Sequence, residues 1–379
     1  MPAELILKDG FRFAGRSFGA VSSAAGEVVF ATGMVGYPES LTDPSFTEQV
    51  LVYTYPLIGN YGVPQQRHWE SGGIKVSGLV VCNYCDTPSH WQSRRSLAEW
   101  LKDENIPALE IVDTRGLTQL LRRHGVMLGR IEIGGPNEET ACSGAACPRQ
   151  GTSHAGASPA ATVGGKGVLR FPDPNAENLV ARVSTKDIWE VGSGRNTVVV
   201  IDCGVKRSIV DCLVRRGLKV IVVPWDFDPT DLRRKFQAVV VSNGPGDPAV
   251  NRPTIANIWK LMKMNLPILG ICLGNQLLAL AAGGRTYKLK YGHRSQNQPC
   301  RLRDTHRYFL TTQNHGYAVG KIPGGFREWF VNANDGTNEG IIHARRPWMS
   351  VQFHPEAAPG PTDTEWVFDY FLKRAKLAV

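Results

Sequence analysis

Two regimes of hydrophobic patterning divide the chain. Up to about residue 60, short apolar runs at 5–7, 11–13, 27–30 and 49–54 alternate with Gly, Pro and polar residues. That spacing predicts a compact, β-rich region. Periodicity then predicts short helices over 93–102 and 114–124. Asp113 or Thr114 is the expected N-cap of the second, and Gly125 its C′ residue. From residue 195 the rhythm changes. Apolar, β-branched runs at 197–202, 218–224, 238–242 and 267–271 alternate with helical stretches at 206–216, 254–264 and 273–282. Continuous apolar strands between helices predict a doubly wound, mostly parallel sheet covered on both faces. Strands at 308–312, 328–331, 340–343 and 349–353 follow, and an amphipathic helix over 364–376 closes the pattern. The expected fold class is therefore α/β, with a β-rich α+β domain ahead of the doubly wound one.

Residues 142–168 are dominated by Ser, Ala, Gly and Pro. They read as a linker or insertion, not core. The expected organisation is an N-terminal domain over 1–140, a linking segment over 141–194, and a second domain over 195–379.

Composition narrows the function classes. The chain has 379 residues, 42% hydrophobic and 20% charged, enough for ordinary cores. No apolar run reaches the roughly 18 residues of a membrane span. The first residues resemble neither a secretory h-region nor an Arg-rich transit peptide. A cytoplasmic location is expected, with a mitochondrial one the alternative, and no membrane partner. The net charge of +9 raises nucleic acid as a partner. Residues 1–140 carry 12 Lys+Arg against 16 Asp+Glu, whereas 141–379 carry 31 against 18. The excess is diffuse, and no zinc finger or aromatic-interleaved basic ribbon accompanies it, so no nucleic-acid partner is expected. Eight Cys are spread over a chain too long to need disulfide staples, which predicts reduced thiols. Cys82 and Cys85 have metal-ligand spacing but lack a second pair, so no metal site is expected. Seven of the eight Cys are read as small buried hydrophobes; the eighth is Cys272.

Three motifs carry chemistry. In Gly270-Ile271-Cys272-Leu273-Gly274-Asn275-Gln276, a Cys falls between a buried strand and a helix. Such an elbow projects a nucleophile at the carboxyl edge of the sheet, and the helix N-terminus favours a thiolate. In Val351-Gln352-Phe353-His354-Pro355-Glu356, a strand delivers His354, Pro355 turns the chain, and Glu356 can reach the far side of the imidazole. A Cys, a His and an orienting carboxylate form the thiol version of a nucleophile–base–orienter triad. In Ser242-Asn243-Gly244-Pro245-Gly246-Asp247-Pro248, glycines expose backbone amides that suit a phosphate or an oxyanion, although the Lys-Ser/Thr ending of a P-loop is missing. Read alone, each has a plainer alternative: a structural Cys, a His capping a turn, a Gly-Pro turn.

Taken together and in this order, the three motifs resemble the class I, triad-type glutamine amidotransferases over about 195–375. Gly33-Met34-Val35-Gly36-Tyr37-Pro38-Glu39, Leu41-Thr42-Asp43-Pro44-Ser45-Phe46, Thr54-Tyr55-Pro56-Leu57-Ile58-Gly59-Asn60 and Asp113-Thr114-Arg115-Gly116 extend the resemblance. They look like the small, glutaminase chains of carbamoyl-phosphate synthetases, closest to animal-type versions. The resemblance implies that Cys272 attacks the glutamine amide, that His354 is general base and then acid, and that Glu356 orients it. It implies glutamine contacts at Ser45, Gly244, Gly246, Leu273, Gln276, Asn314, Gly316 and Tyr317. The amides after Gly244 and at Leu273 suit an oxyanion hole, while 313–317 reads as a polar loop after the strand 308–312.

The resemblance further implies a large, ammonia-using synthetase chain or fused domain as partner. That partner would hold the ATP and Mg that this chain has no motif for. The product would feed arginine, pyrimidine or urea synthesis. With no catalytic motif but Ser45, the region 1–140 is expected to dock the partner, and its deletion to leave a foldable amidotransferase domain. One departure stands out: most glutaminase chains carry His after the elbow Gly, where this chain has Asn275. Ammonia-dependent relatives, which replace the nucleophilic Cys, share that Asn. Rival readings are a weak or inactive glutaminase with a regulatory role, and an amidotransferase serving another synthetase.

Overall fold

The computed structural model describes residues 1–134 and 170–377. The proposed linker 142–168 lies outside them, as do Cys142 and Cys147. The chain forms two compact units that do not follow the boundary read at residue 140. One consists of Met1–Phe30, Glu48–Pro64 and the described part of Val76–Asp173. The other consists of Ala31–Thr47, Gln65–Lys75 and Pro174–Val379. Two N-terminal segments thus belong to the C-terminal unit, because their buried polar residues find their partners there: Asp43 with Asn314, and Glu70 with Ser208.

The first unit is a closed barrel built from Pro2–Leu7, Arg12–Ser17, Ala24–Ala31, Gln49–Tyr53, Gly78–Val81, Ala108–Ile111 and Met127–Ile133. Closure removes the exposed edges that short strands would otherwise present. Leu5, Leu7, Val28, Val50, Val52, Val80, Leu109 and Ile131 fill its interior. The helix Thr114–His124 covers it with Leu117 and Leu121. Of the two candidate caps, Asp113 does the work: its side chain accepts from Gly116 N at 2.6 Å. Gly125 ends the helix at φ 98°. The first helix is shorter than expected, Leu97–Asp103, because Ser96 and Glu99 form a capping box that sets its start.

The second unit is a ten-stranded sheet. Lys219–Pro224, Thr197–Asp202, Ala238–Val241, Ile268–Ile271 and Trp348–Val351 run parallel at its centre. Asn338–His343, Phe326–Asn332, Arg285–Leu302 and Tyr308–Lys321 continue it antiparallel on one side, and Trp189–Val191 on the other. Val198 and Val200 enter one hydrophobic cluster, Val199 and Ile201 the opposite one. A strand buried on both faces explains the unbroken apolar runs. Helices Arg207–Arg215 and Trp366–Arg374 pack on one face, Arg252–Lys263 and Leu273–Ala281 on the other.

Two readings are corrected here. Residues 313–317 are not a loop but the interior of the long strand Tyr308–Lys321, and Arg285–Leu302 is an 18-residue strand the periodicity did not suggest. Its polar composition and its register shifts after Lys288 and Ser295 break the alternation. Among the described residues no helix is long and apolar enough to cross a membrane. All described Cys are free. Cys203, Cys212 and Cys300 are buried as expected, but Cys82 and Cys85 are only half-buried.

Candidate active site

The strand Ile268–Ile271 ends at Cys272, and the helix Leu273–Ala281 begins at the next residue. Cys272 is held at φ 54°, ψ −103°, a conformation that non-glycine residues seldom adopt. Three contacts impose it. Cys272 N still donates to Val351 O as part of the sheet, at 2.9 Å, while Gly274 N donates to Ser242 O and Asn275 N to Cys272 O, each at 3.1 Å. Gly270 and Gly274 are required because a Cβ at either would collide with neighbouring backbone: Gly274 itself in the first case, Val241 in the second. The elbow aims the thiol at the Asn314 carbonyl, 3.5 Å away.

His354 lies three residues beyond Trp348–Val351, fixed by His354 N donating to Thr312 O at 2.9 Å. Its Nδ1 lies 2.6 Å from Glu356 Oε1, so Nδ1 carries the hydrogen and Nε2 is left for the substrate side. The pair is cut off from water. Burial alone would depress the imidazole, but the Glu356 carboxylate, aided by the adjacent Cys272, overrides it and raises the His354 pKa. Burial likewise opposes ionisation of Glu356, and Lys206 and His354 outweigh it, holding the carboxyl below its ordinary range. The three remaining described buried thiols are the reverse case: burial raises Cys203 and Cys300 and pushes Cys212 up to about 12. Such thiols are inert as nucleophiles.

Lys206 was not legible as a site residue. It sits in the turn after Thr197–Asp202, 2% exposed, and its Nζ donates to Glu356 Oε1 at 3.0 Å and to Ala357 O at 2.8 Å. The available signal was a cation inside the turn Cys203-Gly204-Val205-Lys206, placed at a strand end like the three motifs.

Most of the proposed glutamine contacts are brought together. Gln276 Nε2 donates to Tyr317 O at 2.8 Å, and Asn314 follows Cys272 through its carbonyl. Asp43 ties in Ser45. Its carboxylate accepts from Asn314 Nδ2 and Ser45 N, each at 2.9 Å, and Asn243 Nδ2 donates to Ser45 Oγ at 2.9 Å. Asp43 and Asn243 are thus further members that the motifs did not single out. Gly244 packs where a Cβ would strike the Cys203 carbonyl, beside the Leu273 side chain, and Gly316 lies beside Asn314 and Tyr317 on the same strand. Gly246, at φ 82°, stands apart against Leu179. The oxyanion reading needs one correction: the residue after Gly244 is Pro245, which has no N–H, so Gly244 is the glycine of that loop that lies beside Leu273. Residues 31–47 and 65–75 lie in the unit that carries Cys272, so a deletion of 1–140 would take Asp43, Ser45 and Glu70 from that unit.

Asn275, the departure at the elbow, is wholly buried. Its Nδ2 donates to Gln352 Oε1 at 2.9 Å, and its Oδ1 accepts from Ser350 Oγ at 2.8 Å. It braces the helix against the strand that leads to His354.

The elbow, the His–carboxylate pair and the doubly wound sheet match the arrangement expected of the triad-type glutamine amidotransferases. Accordingly, the model of the family "Glutamine amidotransferase class-I" matches residues 199–374, and that of "Carbamoyl-phosphate synthase small chain, CPSase domain" matches 5–131. The chain is 43% identical over 388 residues to the carbamoyl phosphate synthase arginine-specific small chain of Chaetomium globosum, covering 99% of this chain and 78% of that one. It is 45% identical over 390 residues to the multifunctional protein CAD of Squalus acanthias. It is 42% identical over 387 residues to the mitochondrial carbamoyl-phosphate synthase (ammonia) of Mus musculus. Each of these alignments covers 99% of this chain, but only 16% and 24% of those longer proteins. The chain belongs to the carbamoyl-phosphate synthase small chain family.

Proposed function

We propose that this chain hydrolyses glutamine and passes the ammonia to a carbamoyl-phosphate-forming synthetase, on a separate large chain or fused to it. The observation that carries the reading is Cys272 on a strained elbow in reach of His354, itself locked to Glu356. In the first step His354 Nε2 accepts the thiol proton as Sγ attacks the side-chain amide carbon of glutamine. The resulting oxyanion is met by the backbone N–H groups of Leu273 and Gly244. The proton on His354 then goes to the amide nitrogen, the C–N bond breaks, and ammonia leaves a γ-glutamyl thioester on Cys272. His354 next activates water, which hydrolyses the thioester to glutamate and restores the thiol. Glu356 keeps the imidazole in the required tautomer throughout and stabilises the imidazolium.

The partner would supply ATP, Mg and bicarbonate chemistry, for which this chain has no motif. The test is assembly with a synthetase chain. Wild type should support carbamoyl phosphate synthesis from glutamine, and Cys272→Ser only from added ammonia. Loss of both activities in an assembled complex would contradict this division of labour.

A further inference from the structure

A second buried cluster lies in the antiparallel part of the sheet and takes no part in the mechanism above. His293 comes from Arg285–Leu302, His315 from Tyr308–Lys321 and Glu339 from Asn338–His343. All three are buried, and one donor atom from each can be chosen within 4.8 Å of the others. The two rings meet edge to face, with centroids 5.0 Å apart.

Their outer nitrogens settle the orientation. His315 Nδ1 lies 2.9 Å from the Tyr317 carbonyl, which can only accept, so Nδ1 carries a hydrogen. His293 Nε2 lies 2.9 Å from Asp335 Oδ2, so Nε2 carries one as well. In each neutral ring the other nitrogen then presents a lone pair, and both lone pairs face acceptors. His293 Nδ1 is 3.3 Å from Glu339 Oε1 but makes no hydrogen bond. His315 Nε2 is 3.2 Å from Gln313 Oε1 and 4.0 Å from Glu339 Oε2, and that Oε2 is buried without a partner. Gln313 Nε2 donates to Thr311 Oγ1 at 3.1 Å and to Cys300 Sγ at 3.3 Å, which turns Oε1 toward His315.

Bare nitrogens and oxygens converging in the interior call for a cation. Each imidazole hydrogen-bonded outward to a carbonyl or carboxylate, with its other nitrogen turned inward, is the outer-shell arrangement of metal-bound histidine. Glu339 is itself oriented by Asn332 Nδ2 at 3.1 Å. Two imidazoles, a carboxylate and an amide oxygen suit a borderline divalent ion such as Zn²⁺, whose tetrahedral ligands lie about 3.4 Å apart. We propose that His293 Nδ1, His315 Nε2 and Glu339 Oε2, with Gln313 Oε1 as fourth donor, form a closed structural site for a divalent transition metal. It would pin three strands together one residue from Asn314, the residue whose carbonyl meets the Cys272 thiol.

The test uses the full chain carrying Cys272→Ser, which removes the reactive thiol as a competing ligand. After dialysis against chelator, Co²⁺ is titrated in and read by its visible bands and by thermal unfolding. The expected result is one equivalent bound, with the intense ligand-field bands of a tetrahedral site, no thiolate charge-transfer band, and a raised Tm. Glu339→Gln and His293→Gln, checked as folded by circular dichroism, should lose the bands. Asp335→Asn, at a half-exposed outer position, should weaken binding roughly 10–100-fold. Absence of stoichiometric Co²⁺ and Zn²⁺ binding to the folded chain would overturn the proposal, leaving the rings to hold protons instead. Binding unchanged by all three substitutions would overturn it equally.

Discussion

Lys206 and Glu356 form a buried ion pair, 3.0 Å apart. Glu356 Oε1 is thereby shared between Lys206 Nζ and His354 Nδ1. Burial would strip Lys206 of its proton, but Glu356, Glu70 and Asp43 around it reverse that and keep it cationic. The row thus extends to four groups: thiol, imidazole, carboxylate and ammonium.

Lys206→Met should therefore do two things. Removing one partner of a buried pair leaves an uncompensated carboxylate and costs about 3–5 kcal/mol of stability. It also leaves Glu356 with only His354 to hold it, so kcat for glutamine should fall while KM changes little. Thermal unfolding and steady-state glutaminase kinetics read the two effects separately. Unchanged stability and kcat would show that the pair is inert.

His354→Asn should lower kcat by roughly 10²–10⁴-fold, the usual contribution of general acid–base help. Glu356→Ala should be milder, because orientation is lost rather than proton transfer itself. The ratio of the two kcat losses is the measurement. Both variants within about twofold of wild type would remove His354 and Glu356 from the chemistry.

Glu70 offers a pH test. Burial raises its pKa from 4.5 to about 7, against the opposing pull of Lys206 and Ser208. A carboxyl raised on folding binds its proton more tightly when folded. Its contribution to stability is complete below about pH 4.5 and is lost as pH rises through about 7. Glu70→Gln, which can still accept from Ser208 Oγ, removes that loss. Its stability relative to wild type should rise between pH 5 and pH 8 by roughly 1–3 kcal/mol. Denaturant unfolding at the two pH values decides it; a constant difference would show that Glu70 does not titrate in this window.

Asn275→Ala would leave Ser350 Oγ without its acceptor and Gln352 Oε1 with Gln276 Nε2 as its remaining donor. The expected cost is about 1–3 kcal/mol in unfolding, with kcat retained within a few-fold. A collapse of kcat at unchanged stability would place Asn275 in catalysis instead of in the brace behind the elbow.

What the sequence made legible follows from how local each feature is. Cys272 between two glycines, and His354 two residues before Glu356, declare themselves within seven residues. The parallel strands were equally clear, since burial on both faces makes a run such as Thr197–Asp202 apolar throughout. Features that depend on distant partners were not. Lys206 reads as a solvated cation until Glu356, 150 positions away, neutralises it. Asp43 reads as a turn residue until Asn314 and Ser45 are seen to share it. The strand Arg285–Leu302 hides because its buried residues, His293, Arg294 and Ser295 among them, are polar and partnered by other strands. The same property concealed 313–317, whose buried amides serve the site and so mimic a loop.

The most direct test of the central claim is the thioester itself. The full chain is incubated with glutamine, quenched in acid, digested and analysed by mass spectrometry. A γ-glutamyl adduct on the Cys272 peptide is predicted, absent from Cys272→Ser and accumulating when deacylation is slowed. An adduct on any other Cys, or glutamine hydrolysis undiminished in Cys272→Ser, would contradict the account.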